Sequence, residues 1–508
     1  MDISKNLLTR NTLLNFFGQI VPLLIGVITI PFIIRGLGTE RFGLLSLAWV
    51  ILGYFTLFDF GLGRATTKFV AEAISRKKRG EIPHLLWTAV TIQMVLGIVG
   101  AVVMLVITPF LVKNILNIPT YLIEESKNTF YLLAFSIPIV LISGSFRGLL
   151  EAGQRFDLVN FVKVPSSVLI FLLPLFGVLL GFKLTGIIAL IICARLGALV
   201  AFVIINFRIN PSLKKYSGSF ILFPALLSYG GWITVSSVAS PILVYLDRFL
   251  VGSLLSMASV AYYSAPYEAI SRFSIIPVSM TMTMFPAFSA LEGIKDRPKL
   301  AALLSRSIKY IVLVLGPLIL VIVLFSDNIL RLWLGEEFAQ NSTIILQLFG
   351  IGILINSFAH PLYSFLQGVG RADVPAKFHL LELPIYVGIA WVFIIKLGIV
   401  GAALAWVIRV SLDFALQFIA VSRIYKFSPR ILLSNGTSSA CFALIVISSI
   451  SFGIKSFVND FSLIIQFLLL IVPIALFIWF SWNNSLDASD KRMIVGLVKL
   501  WKRNSVKA

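Results

Sequence analysis

The chain has 508 residues, of which 58% are hydrophobic and only 13% are charged, and its formal net charge is +20. Soluble domains carry about 25% charged residues, so this composition excludes an ordinary soluble enzyme and indicates a protein that lies in a lipid bilayer. The two cysteines, Cys193 and Cys441, both fall within apolar stretches. They read as small buried hydrophobic residues, not as a disulfide framework.

Apolar stretches long enough to cross a membrane follow one another along almost the whole chain. A membrane-spanning helix needs about 20 mostly apolar residues. Such windows lie at roughly 11–34, 42–62, 84–112, 128–150, 160–181, 186–206, 222–250, 258–288, 306–326, 341–367, 377–396, 399–421, 436–457 and 461–481. We therefore predict an all-α, polytopic membrane protein of about 14 helices, in which the first span is retained and not cleaved as a signal.

The first span carries a polar stripe. Asn11, Asn15 and Gln19 recur every four residues and so share one helix face. Such a stripe either joins helices through hydrogen bonds or lines a hydrated path. Asn15 and Gln19 are therefore candidates for a polar lining or for coupling.

Basic residues concentrate in every second gap between the predicted spans. The rich gaps and the C-terminal tail hold Arg64, Lys68, Arg76, Lys77, Lys78, Arg79, Lys214, Lys215, Lys295, Arg297, Lys299, Arg423, Lys426, Arg430, Lys491, Arg492, Lys499, Lys502, Arg503 and Lys507. The remaining gaps hold two basic residues at most. This bias predicts that both termini are cytoplasmic. Attraction to anionic lipid explains the net charge, so we expect no nucleic-acid partner.

The chain repeats itself weakly at an offset of about 215 residues. Residues 148–157 (Gly-Leu-Leu-Glu-Ala-Gly-Gln-Arg-Phe-Asp) correspond to 365–373 (Phe-Leu-Gln-Gly-Val-Gly-Arg-Ala-Asp), and Pro31 corresponds to Pro241. Because six spans separate equivalent elements, the copies have the same orientation. We predict two six-helix lobes, 1–210 and 211–427, related by a pseudo-two-fold axis along the membrane normal, and two extra helices with a basic cytoplasmic tail in 428–508. Paired proline kinks suit alternating access.

Arg195 and Arg409 lie inside predicted spans, where a charge costs about 2.5–3.5 kcal/mol on insertion scales. Arg195 has no carboxylate nearby in its span, whereas its counterpart Arg409 has Asp413 four residues on, at the spacing of an intrahelical ion pair. Either both arginines face a central cavity and bind an anion, or each bridges to a carboxylate on another helix. Lys163 and His379 lie at comparable cytoplasmic helix ends and are candidate cavity cations, although snorkelling also explains Lys163.

Four further charged residues lie near helix ends or inside the eighth span. Asp247 and Arg248 are adjacent and could cap a helix or pair with neighbours, and Glu268 and Arg272 are four apart, which favours a structural ion pair. All four are candidates for polar lining or coupling. The sequence has no phosphate-binding glycine loop with lysine, no metal-ligand spacing and only three histidines. We therefore expect no catalysis, no metal and no cofactor.

Several apolar motifs resemble one family of bacterial membrane proteins. They are Asn11-x3-Asn15-x2-Gly18-Gln19-Ile20, Pro31, residues 35–44 (Arg-Gly-Leu-Gly-Thr-Glu-Arg-Phe-Gly-Leu), 59–62 (Asp-Phe-Gly-Leu), 247–252 (Asp-Arg-Phe-Leu-Val-Gly) and 366–371 (Leu-Gln-Gly-Val-Gly-Arg). The chain resembles, over nearly its full length, the bacterial polysaccharide transporters and O-antigen flippases of the multidrug/oligosaccharidyl-lipid/polysaccharide exporter superfamily. The motifs are loose and specify the superfamily better than the substrate.

The resemblance implies two helix bundles around a V-shaped cavity in the bacterial inner membrane. It also implies transfer of an undecaprenyl-pyrophosphate-linked oligosaccharide from the cytoplasmic to the outer leaflet. The expected partners are that lipid-linked oligosaccharide, membrane lipids, and the polysaccharide polymerase and chain-length machinery.

Three alternatives stay open at this point. A peptidoglycan-precursor (lipid II) flippase shares the architecture and an anionic substrate. A multidrug/cation antiporter is expected, by resemblance, to carry an acid in its first span, and here no acid lies between Asp2 and Glu40. A membrane polysaccharide polymerase or ligase is expected to have a large outer loop, whereas the outer gaps are only about 5 to 15 residues.

Overall fold

The structure is a computed structural model that describes residues 21–22, 24–57, 62–219, 231–293, 295–427, 434–458, 461–488 and 490–492. The described part is helical and contains no β-strand. This agrees with the all-α class predicted from the sequence.

Sixteen α-helices in the described residues are labelled here in chain order. They are α1 (Leu24–Leu37), α2 (Thr39–Leu57), α3 (Leu62–Ser75), α4 (Ile82–Phe110), α5 (Ile123–Ala152), α6 (Phe156–Leu179), α7 (Leu184–Ile209), α8 (Gly231–Leu254), α9 (Met257–Ile270), α10 (Ile275–Gly293), α11 (Arg297–Leu324), α12 (Ser326–Leu334), α13 (Glu336–Gly368), α14 (Asp373–Tyr425), α15 (Thr437–Phe457) and α16 (Leu463–Asn484). Nine helices of the described part are long and apolar enough to cross a membrane. The predicted count of 14 and the two-fold axis stay predictions.

Two of the predicted spans have internal breaks. The eighth span consists of α9 and α10 separated by a 3-10 turn, Ser271–Ser274. The eleventh and twelfth spans run together as α14 and change direction at Gly398, whose φ of 60° and ψ of −141° are not helical. Glycine suits this position because a side chain would clash at such a positive φ. A single residue thus replaces a connecting loop.

The chain forms two compact units, each discontinuous in sequence. The first comprises Met1–Ala269 with His379–Trp406, and the second comprises Ile270–Phe378 with Val407–Ala508. We describe each unit by itself. The predicted segments 1–210, 211–427 and 428–508 stay a prediction.

Close helix packing in the first unit depends on small residues. At Gly97 of α4, an added Cβ would lie 2.6 Å from the backbone Cα of Pro138 in α5. The two helices can therefore touch backbone to backbone only because Gly97 lacks a side chain, as small residues commonly allow in membrane helices. This contact fixes α5, which carries part of the candidate site.

A tight corner joins α5 to α6. Gln154 has a left-handed φ of 58°, and the Arg155 N–H donates to the Leu150 carbonyl at 2.9 Å, which ends the helix. The Arg155 guanidinium then holds Asp157 through two hydrogen bonds, at 3.1 Å from Nε and 3.0 Å from Nη2. The hydrogen bond to Asp157 raises the pKa of Arg155.

The corner between α13 and α14 in the second unit has the same bonding. Gly370 has a φ of 82°, and the Arg371 N–H donates to the Leu366 carbonyl at 2.8 Å. Arg371 holds Asp373 at 2.9 Å from Nε and 3.3 Å from Nη2. These are the two segments that the sequence repeat aligns, so the repeated sequence folds into the same local corner in each unit.

Candidate functional site

A polar cavity of about 170 Å³ lies between α5, α6 and α7 of the first unit. Its apolar wall includes Val140, Ile170 and Phe202. Its polar lining consists of Ser143, Arg147, Lys163, Ser166, Ser167 and Arg195. Three basic side chains and three hydroxyls therefore converge within helices that are otherwise long and apolar.

Arg195 lies on α7 and is half-buried. Its Nε is fully buried and makes no hydrogen bond, and no ion pair joins Arg195 to any residue that the structure describes. A buried Nε–H donor without a partner is costly, because it has left water and gained no hydrogen bond in exchange. This side chain is therefore poised to bind an anion.

Lys163 reaches the same cavity from α6. Within the described ranges it has no ion pair and no hydrogen bond. Arg147 of α5 is the third cation, and its Nε lies 3.4 Å from Glu151 Oε1, one helical turn away. Glu151 is not among the lining residues, and the described lining contains basic residues and no carboxylate.

This set of donors matches phosphate chemistry. A guanidinium can hold two phosphate oxygens at once, an ammonium adds a compact charge, and serine hydroxyls add neutral donors. An anion 4 Å from one such cation gains about 4 kcal/mol at an effective dielectric constant near 20. The cavity can therefore select a phosphorylated group over a neutral one.

The other cations proposed from the sequence lie elsewhere. Arg409 lies on α14 in the second unit, and one turn on, Asp413 Oδ1 accepts a hydrogen bond from Gln417 Nε2 at 2.7 Å. His379 lies on α14 in the first unit but is not among the residues that line the cavity described above. A cavity shared by Arg195 and Arg409 stays a prediction.

Asp247 and Arg248 belong to a tightly packed polar cluster of the first unit. Arg248 is 2% exposed, lies 3.6 Å from Glu268 through Nη2 and Oε1, and stacks 4.4 Å from the centre of the Tyr267 ring. The Tyr263 hydroxyl donates to Asp247 Oδ2 at 2.6 Å. Ion pairing and cation–π contact together suit a structural role for Arg248.

The structure therefore pairs Glu268 with Arg248 of the preceding helix. Arg272, the partner expected from the sequence, lies in the 3-10 turn Ser271–Ser274. Its pairing with Glu268 stays a prediction. Asn15 and Gln19 lie outside the described residues. The sequence analysis did not single out Arg147 as a lining residue, because an arginine four residues from Glu151 near a helix end is also typical of a solvated intrahelical pair. The adjacent Ser166 and Ser167 inside an apolar span were the available signal.

An all-α bundle of long apolar helices with a cationic internal cavity defines a polytopic membrane transport protein. Comparison with known proteins then gives the family. The chain belongs to the polysaccharide biosynthesis protein family, whose sequence profile matches residues 8–292, and residues 233–392 also match the MatE family. It is 32% identical over 406 residues to the "Putative O-antigen transporter" of Shigella flexneri, covering 80% of this chain and 95% of the relative.

Solved structures share the fold. The lipid II flippase MurJ in an inward closed conformation aligns with a TM-score of 0.71 and 17% identity, covering 94% of this chain and 99% of MurJ. An inward-facing multidrug resistance MATE transporter of the MOP superfamily aligns with a TM-score of 0.71 and 17% identity, covering 80% and 94%. The family resemblance, the multidrug-exporter-like fold and the absence of an enzymatic role predicted from the sequence are confirmed.

Proposed function

We propose that this chain is a flippase that moves an undecaprenyl-pyrophosphate-linked oligosaccharide from the cytoplasmic to the outer leaflet of the bacterial inner membrane by alternating access. Membership of a polysaccharide biosynthesis family and the likeness to an O-antigen transporter support this substrate class. The observation that carries the proposal is the cavity lined by Arg195, Lys163 and serine hydroxyls, where neither cation has an ion pair among the residues that the structure describes.

The chemistry of the substrate requires such a site. A sugar headgroup in hydrocarbon leaves many hydroxyls unpaired, at a cost of several kcal/mol each, so it needs a hydrated path. Its pyrophosphate carries the negative charge that Arg195 and Lys163 can bind, while Ser166 and Ser167 can donate to further oxygens. The isoprenoid tail can stay in the bilayer throughout, because it needs no polar environment.

A lipid II flippase is the second candidate, since its substrate carries the same pyrophosphate and the MurJ fold covers most of this chain. Fold likeness at 17% identity does not separate the two substrates. The family profile and the O-antigen relative favour the oligosaccharide. The sequence argues against the cation antiporter, because no acid lies between Asp2 and Glu40 in the region of the first span.

The decisive experiment deletes the gene and identifies the lipid-linked glycan that accumulates on the cytoplasmic side. We expect an undecaprenyl-pyrophosphate-linked surface-polysaccharide unit, restored to the outer leaflet by the wild-type gene but not by Arg195→Leu. Lys183→Leu, which removes a cation from the exposed start of the same helix, is the matched control and should restore export. Accumulation of the peptidoglycan precursor instead would replace this proposal with the second candidate.

A further inference from the structure

The segment that follows α7 folds back onto α4 of the same unit. Residues 210–219, here called the strap, pass through a 3-10 turn, Pro211–Lys214, and then run along the first turns of α4. The Trp87 indole N–H donates to the Leu213 carbonyl at 3.0 Å, and the Ser219 N–H donates to Thr88 Oγ1 at 2.9 Å. The strap is thus bonded to α4 at both ends.

Burial of one strap residue fixes where its lysines lie. Leu213 is fully buried in the same hydrophobic cluster as Ala73, at the end of α3, and Ile82, at the start of α4. The next two residues, Lys214 and Lys215, are exposed. The strap therefore brings them to the surface formed by the turn between α3 and α4, which is itself basic.

The resulting composite surface, here called the basic surface, joins two segments that lie far apart in sequence. It consists of Glu72, Arg76, Lys77, Lys78, Arg79, Glu81, Arg208, Lys214 and Lys215, which is seven basic and two acidic residues. The two acids are already engaged, Glu72 with Arg76 at 2.6 Å and Glu81 with Lys78 at 2.9 Å. Lys77, Arg79, Lys214 and Lys215 have no ion pair among the residues that the structure describes.

Aromatic and apolar side chains adjoin the basic surface. The Tyr216 ring of the strap is 61% exposed and packs 5.4 Å from the Trp87 ring, and its hydroxyl lies 3.1 Å from Thr91 Oγ1. Tyrosine and tryptophan favour the headgroup level of a bilayer, where one part of the ring system is apolar and another is wet.

Beyond these rings, α4 and α7 both present apolar side chains to the surroundings. Met94, Val95 and Ile98 of α4 are about half exposed, and so are Val200 and Ile204 of α7. A ligand that extends from the basic surface along these helices therefore needs a charged end and a long apolar body. A soluble anion would leave the apolar faces unused.

We propose that the basic surface is a binding site for anionic phospholipid headgroups of the leaflet that it faces, with the acyl chains lying along α4 and α7. Clusters of lysine and arginine beside membrane helices attract such lipids, and the aromatic pair sets the depth of the headgroup. The site is separate from the cavity of Arg195. The proposal does not depend on which lipid-linked substrate is transported. This binding site would explain the strap, because the strap brings Lys214 and Lys215 next to the basic residues of the turn between α3 and α4.

The test measures thermal unfolding of the full-length protein in neutral detergent while dioleoylphosphatidylglycerol is titrated, with dioleoylphosphatidylcholine in a parallel series. The variant is Lys77→Gln/Arg79→Gln/Lys214→Gln/Lys215→Gln. The matched control Lys113→Gln/Lys127→Gln/Lys183→Gln/Lys396→Gln removes the same charge from other gaps of the first unit. We expect phosphatidylglycerol to raise Tm of the wild type, and the half-saturating concentration to rise at least tenfold in the variant but less than twofold in the control.

Three results would overturn the proposal. One is an unchanged half-saturating concentration in the variant, and another is an equal shift in the control, which would mean a diffuse charge effect. The third is stabilisation by soluble glycerol 3-phosphate at the same molar concentration, which would mean a site for free phosphate. If the fourfold variant does not fold, Lys214→Gln/Lys215→Gln changes only exposed side chains and should still raise the half-saturating concentration at least threefold.

Discussion

At the scale of single residues, Arg195 is a positively charged side chain inside an apolar helix. We predict that Arg195→Leu slows headgroup translocation at least tenfold, because a charge-assisted hydrogen bond contributes about 1.5–3 kcal/mol. Arg195→Lys should retain part of the activity, since it keeps the charge but loses two-oxygen recognition. The measurements are surface glycan and rates in reconstituted vesicles, at equal membrane abundance. Full activity in Arg195→Leu would show that the charge is dispensable.

Gly97 allows close packing of α4 against α5 because it has no side chain. We predict that Gly97→Ala lowers Tm by several degrees, because the new Cβ would lie 2.6 Å from the Pro138 Cα and would push α4 away from α5. Gly197→Ala in α7 is the matched control, since a Cβ there meets nothing within 4 Å. That control should be neutral or slightly stabilising, because alanine favours a helix. Equal Tm values for the two variants would contradict the packing argument.

At the scale of helices, the segment after α16 is tied to α11 of the second unit. Lys309 and Asp490 are both fully buried and their Nζ and Oδ2 atoms lie 2.5 Å apart, while the Tyr310 hydroxyl donates to Asp490 Oδ1 at 2.5 Å. Nearby, Arg306 Nη2 lies 2.7 Å from Asp487 Oδ2. These contacts anchor the end of the two C-terminal helices to α11.

We predict that Asp490→Asn destabilises the protein by about 3–5 kcal/mol, since it strands the buried Lys309 ammonium without its counter-ion. The double variant Lys309→Met/Asp490→Asn should recover part of that loss, because no unpaired charge is left. Chemical or thermal unfolding of purified protein measures both. The partly exposed neighbour Arg306→Gln is the control and should cost less than about 1 kcal/mol. A double variant no more stable than Asp490→Asn would argue against the ion pair.

The same ion pair has a defined dependence on pH. Burial raises the pKa of Asp490, but the hydrogen bonds from Lys309 and Tyr310 together lower it by more, so the net shift of the pKa is downward. A carboxyl with a lowered pKa stabilises the fold above its unfolded pKa of about 3.9, and the contribution is lost as pH falls through the folded value. The Tm difference between wild type and Asp490→Asn should therefore be constant from pH 5 to 8 and shrink only below about pH 4. A change near neutral pH would indicate another titrating group.

At the scale of the whole molecule, outward transfer of an anionic headgroup would follow an inside-negative membrane potential. The gain is about 2.3 kcal/mol per charge per 100 mV. We predict that collapsing the potential in vesicles, with ion gradients held constant, slows translocation of the lipid-linked oligosaccharide. Vesicles that contain Arg195→Leu protein serve as the background. An unchanged rate would remove the potential from the driving force and leave an exchanged ion as the alternative.

The sequence predicted the features of this molecule that depend on composition and periodicity. Hydrophobic length predicts the helices, and an arginine without a nearby carboxylate marks Arg195 as exceptional. Side-chain contacts between different helices could not be predicted from composition and periodicity. The contact of Glu268 with Arg248 of the preceding helix, for example, has no signal in the spacing of the sequence. Arg147 likewise becomes a cavity residue only when α5 packs beside α6 and α7.

The matching corners at Arg155 and Arg371 define what the two repeated segments share. Both segments have the hydrogen bonds that turn the chain, whereas the aligned ionisable positions differ: Lys163 aligns with His379, and Arg195 aligns with Arg409, which has Asp413 one turn on. The two halves therefore share the hydrogen bonds that turn the chain but differ in the charges at the aligned positions. An anionic headgroup would meet different chemistry in each half.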